Sequence, residues 1–194
     1  MRVIDPALLI LRDLGGPAIT ALARQYLVAI ALQESGPALR ARYQHSPATT
    51  PGPARGFWQF EQGGGTAGVL NHAACRTLAN LLCEHCIVVP ARAAVWRALE
   101  GHDVLAVGFA RLLLWSDPRA LATTESGAWE YYLRNWAPGK PHPSVWPRNW
   151  RTAAAAVQAA DIIEEAEAPA ASGDFEDRLA RIEAKLDRLL GGSE

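Results

Sequence analysis

The feature that most restricts what this chain can fold into is the near-absence of period-two alternation. β-Branched residues almost nowhere alternate with polar ones, while Ala, Leu, Arg and Glu recur throughout. A half-buried strand needs that alternation, and helices are built from the residues that abound here. The expected class is therefore mainly α, with a long irregular Gly/Pro-rich segment. Helices are predicted at 6–14, 17–34, 66–85, 90–99, 102–115, 125–136 and 148–166. Gly15-Gly16-Pro17 stops the first and starts the second, with Pro at a first-turn position. Asp103, after Gly101-His102, is the expected N-cap region of Val104–Trp115, and Ser116-Asp117-Pro118 ends that helix. The run from Ala137 through Pro138, Gly139, Lys140, Pro141 and His142 to Pro143 cannot be helical and is expected to be a rigid loop. Residues 44–65 hold Pro47, Pro51, Pro53 and five glycines, and form the longest irregular segment. Long irregular segments in compact domains tend to be functional.

The 194 residues suffice for one domain with a proper core, expected at 1–165. An Ala/Glu/Pro/Ser/Gly linker at 166–173 leads to a helix at 174–190. In that helix Phe175, Leu179, Ile182, Leu186 and Leu189 are spaced 4, 3, 4 and 3 apart, as in a coiled-coil seam. The seam is expected to pair with another copy or with a partner, and folding back onto the domain is the competing arrangement. About two heptads alone associate weakly.

Charge is nearly balanced, 19 basic against 20 acidic residues for a net of −1, which argues against a general nucleic-acid binder. No apolar run reaches the ~18 residues of a membrane span. Asp5, Pro6, Arg12, Asp13 and the Gly15-Gly16-Pro17 turn interrupt any secretory h-region, so synthesis in a reducing cytoplasm without a signal peptide is expected. His72, Cys75, Cys83 and Cys86 have the ligand spacing that Zn²⁺ accepts. The residues between the cysteines read as continuous helix without a knuckle turn, and Cys is commonly a small buried hydrophobe. No metal and no other cofactor is therefore expected.

The informative pair of segments is Ala29-Ile30-Ala31-Leu32-Gln33-Glu34-Ser35-Gly36 and Gly56-Phe57-Trp58-Gln59-Phe60. Glu34 closes an apolar helix whose inner face is Ile19, Leu22, Ala23, Tyr26, Leu27, Ile30 and Ala31. Burial against aliphatic neighbours and the negative end of the helix dipole both raise a carboxyl pKa, as a general acid near neutral pH requires. An exposed glutamate at a helix end is the plainer reading. The second segment shifts the balance. Together they resemble the lysozyme superfamily, most closely the soluble lytic transglycosylase type. There a helix ends in Glu-Ser and a Gly-Leu-Met-Gln-like strand or turn follows about twenty residues on; here Gly56 lies 22 residues after Glu34. The stretch Trp58-Gln59-Phe60-Glu61-Gln62-Gly63-Gly64-Gly65 and the later Trp136-to-Pro143 run look like small lysozyme-like proteins of tailed phages and prophages.

The resemblance covers about 30–150 and implies that Glu34 is the catalytic acid/base. It implies that Gly56, Phe57, Trp58 and Gln59 line a sugar cleft, with Gly56 allowing close backbone approach. The family's Tyr that faces the catalytic Glu has its nearest match in Ala128-Trp129-Glu130-Tyr131-Tyr132, followed by Asn135-Trp136. This departs from the family pattern, and Tyr131 and Tyr132 both remain candidates, with Tyr132 and Trp136 assigned to the substrate. A lytic transglycosylase needs one acid, because the substrate's acetamido and 6-hydroxyl groups do the nucleophilic work. A hydrolase needs a second carboxylate, for which Glu61 is the first candidate and Asp103 a distant one. Glu61 is equally suited to holding the triple-glycine turn by accepting backbone N–H bonds.

Seven tryptophans suit a surface that stacks pyranoses. Trp58 is the one expected at the sugar; Trp96 and Trp115 are expected in the core, and for Trp136, Trp146 and Trp150 packing of the proline loop is the plainer reading beside ligand contact. His72 is a further cleft candidate, returning to its mouth after the glycine turn. Arg40, Arg42 and Arg55 are candidates for substrate carboxylates, with solvated surface charge the plainer reading. The expected function is cleavage of the peptidoglycan glycan strand by a phage-type endolysin or virion-associated enzyme. It would be made in the host cytoplasm and act at the cell wall. The alternative is a non-catalytic phage structural or assembly protein that keeps the fold and docks or oligomerises through its C-terminal helix. Bacterial walls are anionic and this chain lacks a basic excess, so delivery is expected to come from attachment.

Overall fold

The computed structural model describes residues 1–36, 52–167 and 175–190. Arg40 and Arg42 lie outside the described residues. The protein is mainly helical. Its organising element is α6 (Asp103–Ser116), in which every residue from Leu105 to Leu114 is buried. A helix buried on all sides must be wrapped on all sides, and the one charged residue of this run, Arg111, donates to the Ala18 carbonyl. Around it stand α1 (Ile4–Asp13), α2 (Ala21–Ser35), α3 (Ala67–Asn71) and α4 (Arg76–His85), each in contact with α6. Gly108 lets α4 approach closely, since a Cβ there would collide with the Leu82 side chain. The remaining helices are α5 (Arg92–Ala98), α7 (Glu125–Trp136), α8 (Trp146–Glu167) and α9 (Phe175–Leu190). α8 packs along α2 for much of its length. No described helix is long and apolar enough to cross a membrane.

Local chemistry explains most boundaries. The Thr20 hydroxyl accepts from Ala23 N and starts α2, so the helix begins after Pro17 rather than on it. Thr124 caps α7 in the same way, by accepting from Gly127 N. α6 is capped by His102, whose Nδ1 accepts from Leu105 N, and Asp103 sits inside the first turn. The helix expected over 66–85 is two helices. His72 turns extended between them, and its Nδ1 accepts from Ala74 N. Within 44–65, two short strands form an antiparallel ribbon, β1 (Ala54–Arg55) with β2 (Phe60–Glu61), pairing Ala54 with Glu61 and Arg55 with Phe60. The triple-glycine stretch coils as a wide helical turn over Gln62–Thr66.

α9 is where the heptad spacing expected, and it packs against α8. Lys185 and Arg188 share a shallow groove there with Gln158, Asp161 and Ile162. The fold-back competing with a free interaction helix is thus the observed arrangement. It covers the seam only in part: Ile182 is half-buried, while Leu179 and Leu186 stay 40% and 41% exposed.

Candidate active site

Glu34 lies in the last turn of α2. Tyr26, Leu27, Ile30 and Ala31 on that helix are buried and fix its orientation. Gly36, at φ +76°, breaks the helix, and Ser35 Oγ donates to the Phe57 carbonyl at 2.7 Å. The end of α2 is thereby tied to the ribbon turn. Glu34 itself is half-buried. Burial pushes its carboxyl up to about 7, against the opposing effect of a hydrogen bond from Tyr132. The Tyr132 hydroxyl donates to Glu34 Oε1 at 2.6 Å. Burial, reinforced by the Glu34 carboxyl, pushes the Tyr132 phenol far above its ordinary value, so it stays a donor. Oε1 being the acceptor, the proton of the neutral acid belongs on Oε2.

Tyr132 is held by aromatic packing. Its ring stacks on Trp146 (centroids 5.3 Å apart, 15° between planes), and Trp146 stacks on Trp150 at 5.9 Å. Trp136 closes the cleft end of this column at 6.4 Å. Trp146 Nε1 donates to the Glu125 carbonyl and locks α8 to the start of α7. Tyr131, the other tyrosine candidate, turns the opposite way: it is buried and donates to the Leu114 carbonyl at 2.7 Å.

The turn Gly56–Gln59 between β1 and β2 faces the end of α2. Gln59 takes a left-handed backbone at φ +50°, and its Nε2 donates back to the Gly56 carbonyl at 2.8 Å. A non-glycine residue in that region is strained, and such strain persists only where surrounding contacts impose it. Gly56 is required for a reason other than the one expected. At φ +71° a Cβ would strike the Leu99 carbonyl, so the close approach is to α5's end and not to a ligand. Trp58 also departs from expectation. It is 3% exposed and its Nε1 donates to the Leu27 carbonyl at 3.0 Å, so it pins the ribbon to α2. Its own carbonyl accepts from Trp136 Nε1 at 3.0 Å, fixing Trp136 in turn. Phe57 is half-buried edge-on to Trp58 and does not line the cleft.

A single open cleft of about 800 Å³ joins these parts. Glu34, Gln59, Glu61, Tyr132 and Trp136 all line it. Glu61 is exposed and does not cap the glycine turn, which removes that structural role. Gly64 and Gly65 form part of the floor. The wall facing the ribbon is the loop after α7, from Ala137 to His142. Ala137 is left-handed (φ 45°, ψ 52°), which turns the chain out of the helix. Gln33, beside the acid, then clips the loop: its Nε2 donates to the His142 carbonyl at 3.1 Å while its Oε1 accepts from buried Asn149 at 2.9 Å.

Behind the cleft, Asp117 braces α7. Its side chain is only 4% exposed. Burial pushes its carboxyl up, but hydrogen bonds from Arg119, Arg134 and Asn135 outweigh this and hold it well below the usual range. Asn135 also lines the cleft.

Other sequence candidates lie elsewhere. His72 is exposed, its Nδ1 accepts from Ala74 N in the turn before α4, and it is not part of the cleft. Asp103 is also outside it. Cys75 is buried and donates to the Leu112 carbonyl at 3.2 Å; burial lifts its thiol to about 11 and that of Cys83 to about 12. Such protonated, core-facing thiols do not converge with a solvent-facing His72, and no metal-binding cluster occurs among the described residues. Trp115 is 38% exposed and Trp96 half-buried, so neither is the core residue expected. Trp96 instead donates to the Pro53 carbonyl and lies under the Arg55 guanidinium, 4.1 Å from its centroid. Arg55 is also 3.1 Å from Glu100, which ties β1 to the end of α5.

Gln33, Asn135, Lys140 and His142 are cleft residues that sequence reasoning missed. For Gln33 its place next to Glu34 was a signal. For the loop, the prolines announced rigidity but not which surface it would face. No family model matches this chain. No curated protein and no solved structure matches it either.

Proposed function

We propose that the protein cleaves the glycan strand of peptidoglycan, with Glu34 as the general acid. The observation that carries this reading is the Glu34 carboxyl itself: half-buried, raised to about 7, hydrogen-bonded by Tyr132, and lining an open cleft with Gln59 and Glu61. An acid so placed holds its proton near neutral pH and can deliver it to a glycosidic oxygen. As the C1–O bond breaks, the departing sugar takes the proton from Oε2. The resemblance to lytic transglycosylases then has the substrate's acetamido oxygen stabilise C1 and its 6-hydroxyl close a 1,6-anhydro ring, returning a proton to Glu34. Hydrolysis would instead route water through Glu61, which lines the same cleft. The phage setting and action at the cell wall rest on the same resemblance.

Turbidity clearance of purified peptidoglycan by wild type and Glu34→Gln tests the proposal. Wild type clears it, and the variant is slower by about 10²-fold or more. Equal rates, or no clearance by either, would falsify the enzyme reading. Mass spectrometry of products separates anhydro ends from reducing ends. A second reading is favoured by one observation, the exposed Leu179 and Leu186 on α9: a non-catalytic phage structural protein docking through that helix. It predicts a stable oligomer or phage-protein complex and no clearance.

A further inference from the structure

We infer that Lys140, with His142 beside it on the proline-braced wall of the cleft, forms a subsite for a carboxylate carried by the glycan substrate. This rests on the reading of the cleft as a glycan site and adds what the site selects. Both residues line the cleft that Glu34, Gln59 and Glu61 line, and both are exposed there. Lys140 makes no hydrogen bond or ion pair with any described residue, Glu61 included. Its charge is therefore not consumed by the fold.

The loop that carries the two residues is ordered in advance. Pro138, Pro141 and Pro143 each fix one φ, Ala137 is set left-handed, and Gln33 holds the His142 carbonyl to the end of α2. Binding therefore need not order the loop, and that is the cost that most weakens contacts from flexible surface cations. The Gln33 bond also fixes the register between the loop and the residue next to the acid. A carboxylate seated on this wall would lie on the same substrate whose glycosidic oxygen meets Glu34. Arg55 is not available for the task, since Glu100, Trp96 and nearby carbonyls engage it.

In peptidoglycan, carboxylates come from two sources: the lactyl group when the stem is absent, and the stem peptide when it is present. Equilibrium binding tests the subsite, with every protein carrying Glu34→Gln so that ligands survive. The ligands are a GlcNAc–MurNAc tetrasaccharide with free lactyl groups, the same sugar bearing stem peptides, and neutral chitotetraose. Binding of at least one carboxylated sugar should exceed that of chitotetraose by about fivefold, the scale of one partly screened ion pair. The added pair Lys140→Ala/His142→Ala should abolish that preference, bringing the carboxylated sugars down to the affinity of chitotetraose measured on the same variant, while Lys140→Arg should retain it. The sugar that carries the preference identifies the source. Equal affinities for all three sugars, a preference that survives the double substitution, or no binding to any sugar would each overturn the subsite. Failure of the enzyme reading shows separately, as equal turbidity clearance by wild type and Glu34→Gln.

Discussion

At the scale of single residues, the proton on Glu34 governs both activity and stability. Its carboxyl rises from an ordinary 4.5 to about 7 in the folded protein. The acid form is the competent one, so kcat/KM should fall as pH rises through about 7, and pH–rate profiles on peptidoglycan would show it. Stability follows the same sign. Between pH 4.5 and 7 the folded state binds the extra proton, so Glu34's contribution is complete below 4.5 and is lost by about 7. The loss is of the order of 3 kcal/mol. Denaturant melts at pH 5 and 8 should therefore differ by less in Glu34→Gln than in wild type. Tyr132→Phe is a finer probe. Its hydrogen bond lowers the Glu34 pKa, so removing it should move the alkaline limb to higher pH. It should also cut kcat by about tenfold with little change in KM, the cost of one lost charge-directed hydrogen bond. An unmoved limb would mean that the 2.6 Å contact does not set the acid's proton affinity.

At the scale of elements, α7 presents Tyr132, Asn135 and Trp136 to the cleft, and the Asp117 cluster anchors it to the end of α6. Asp117→Ala leaves Arg134 and Asn135 without their shared acceptor and should cost about 2 kcal/mol, less than a fully buried pair because both arginines reach solvent. Because Asp117's folded pKa is depressed, its contribution is present above the unfolded value near 4 and is lost as pH falls through the folded one. Acid melts of wild type and Asp117→Ala should therefore converge at low pH. A constant gap across the pH range would argue against the cluster. The helices bounded by local chemistry were legible: α7 lies at 125–136 as read, since its hydroxyl cap and its Pro/Gly stop are neighbours in the chain. The break at His72 was not, because residues 66–85 lack Pro and have helix-compatible composition; in the fold α3 and α4 each pack on α6 and the His72 Nδ1 accepts from Ala74 N at the turn between them. The strands of the ribbon, two residues each, are too short for any periodicity to register.

For the whole molecule, the placing of α9 sets the balance between core and attachment. α9 shares a groove with α8 around Ile162, while Leu179 and Leu186 remain exposed. Truncation after residue 167 uncovers little more than that groove, so the melting temperature should drop by no more than about 5 °C, as ~1–2 kcal/mol would do at this size. Clearance of peptidoglycan by the truncated protein should match wild type in solution. A collapse of stability would make α9 part of the core. The near-neutral charge bears on the same point, since a net of −1 offers no general attraction to an anionic wall. Periodicity and backbone breakers are local properties, so the helical class, the stops at Gly15-Gly16 and at Ser116-Asp117-Pro118, and the helix-ending Glu34 were legible, whereas the capping residues Thr20 and His102 were not. That Tyr132 and not Tyr131 meets Glu34, that Trp58 is a buried pin, and that the proline loop is a cleft wall carrying Lys140 and His142 all follow from packing between distant parts of the chain. Two adjacent helical residues point about 100° apart, and which one meets the acid depends on how α7 is rotated against α2 and α8. That rotation is set by the stacked rings of Tyr132, Trp146 and Trp150, contacts between residues far apart in the chain.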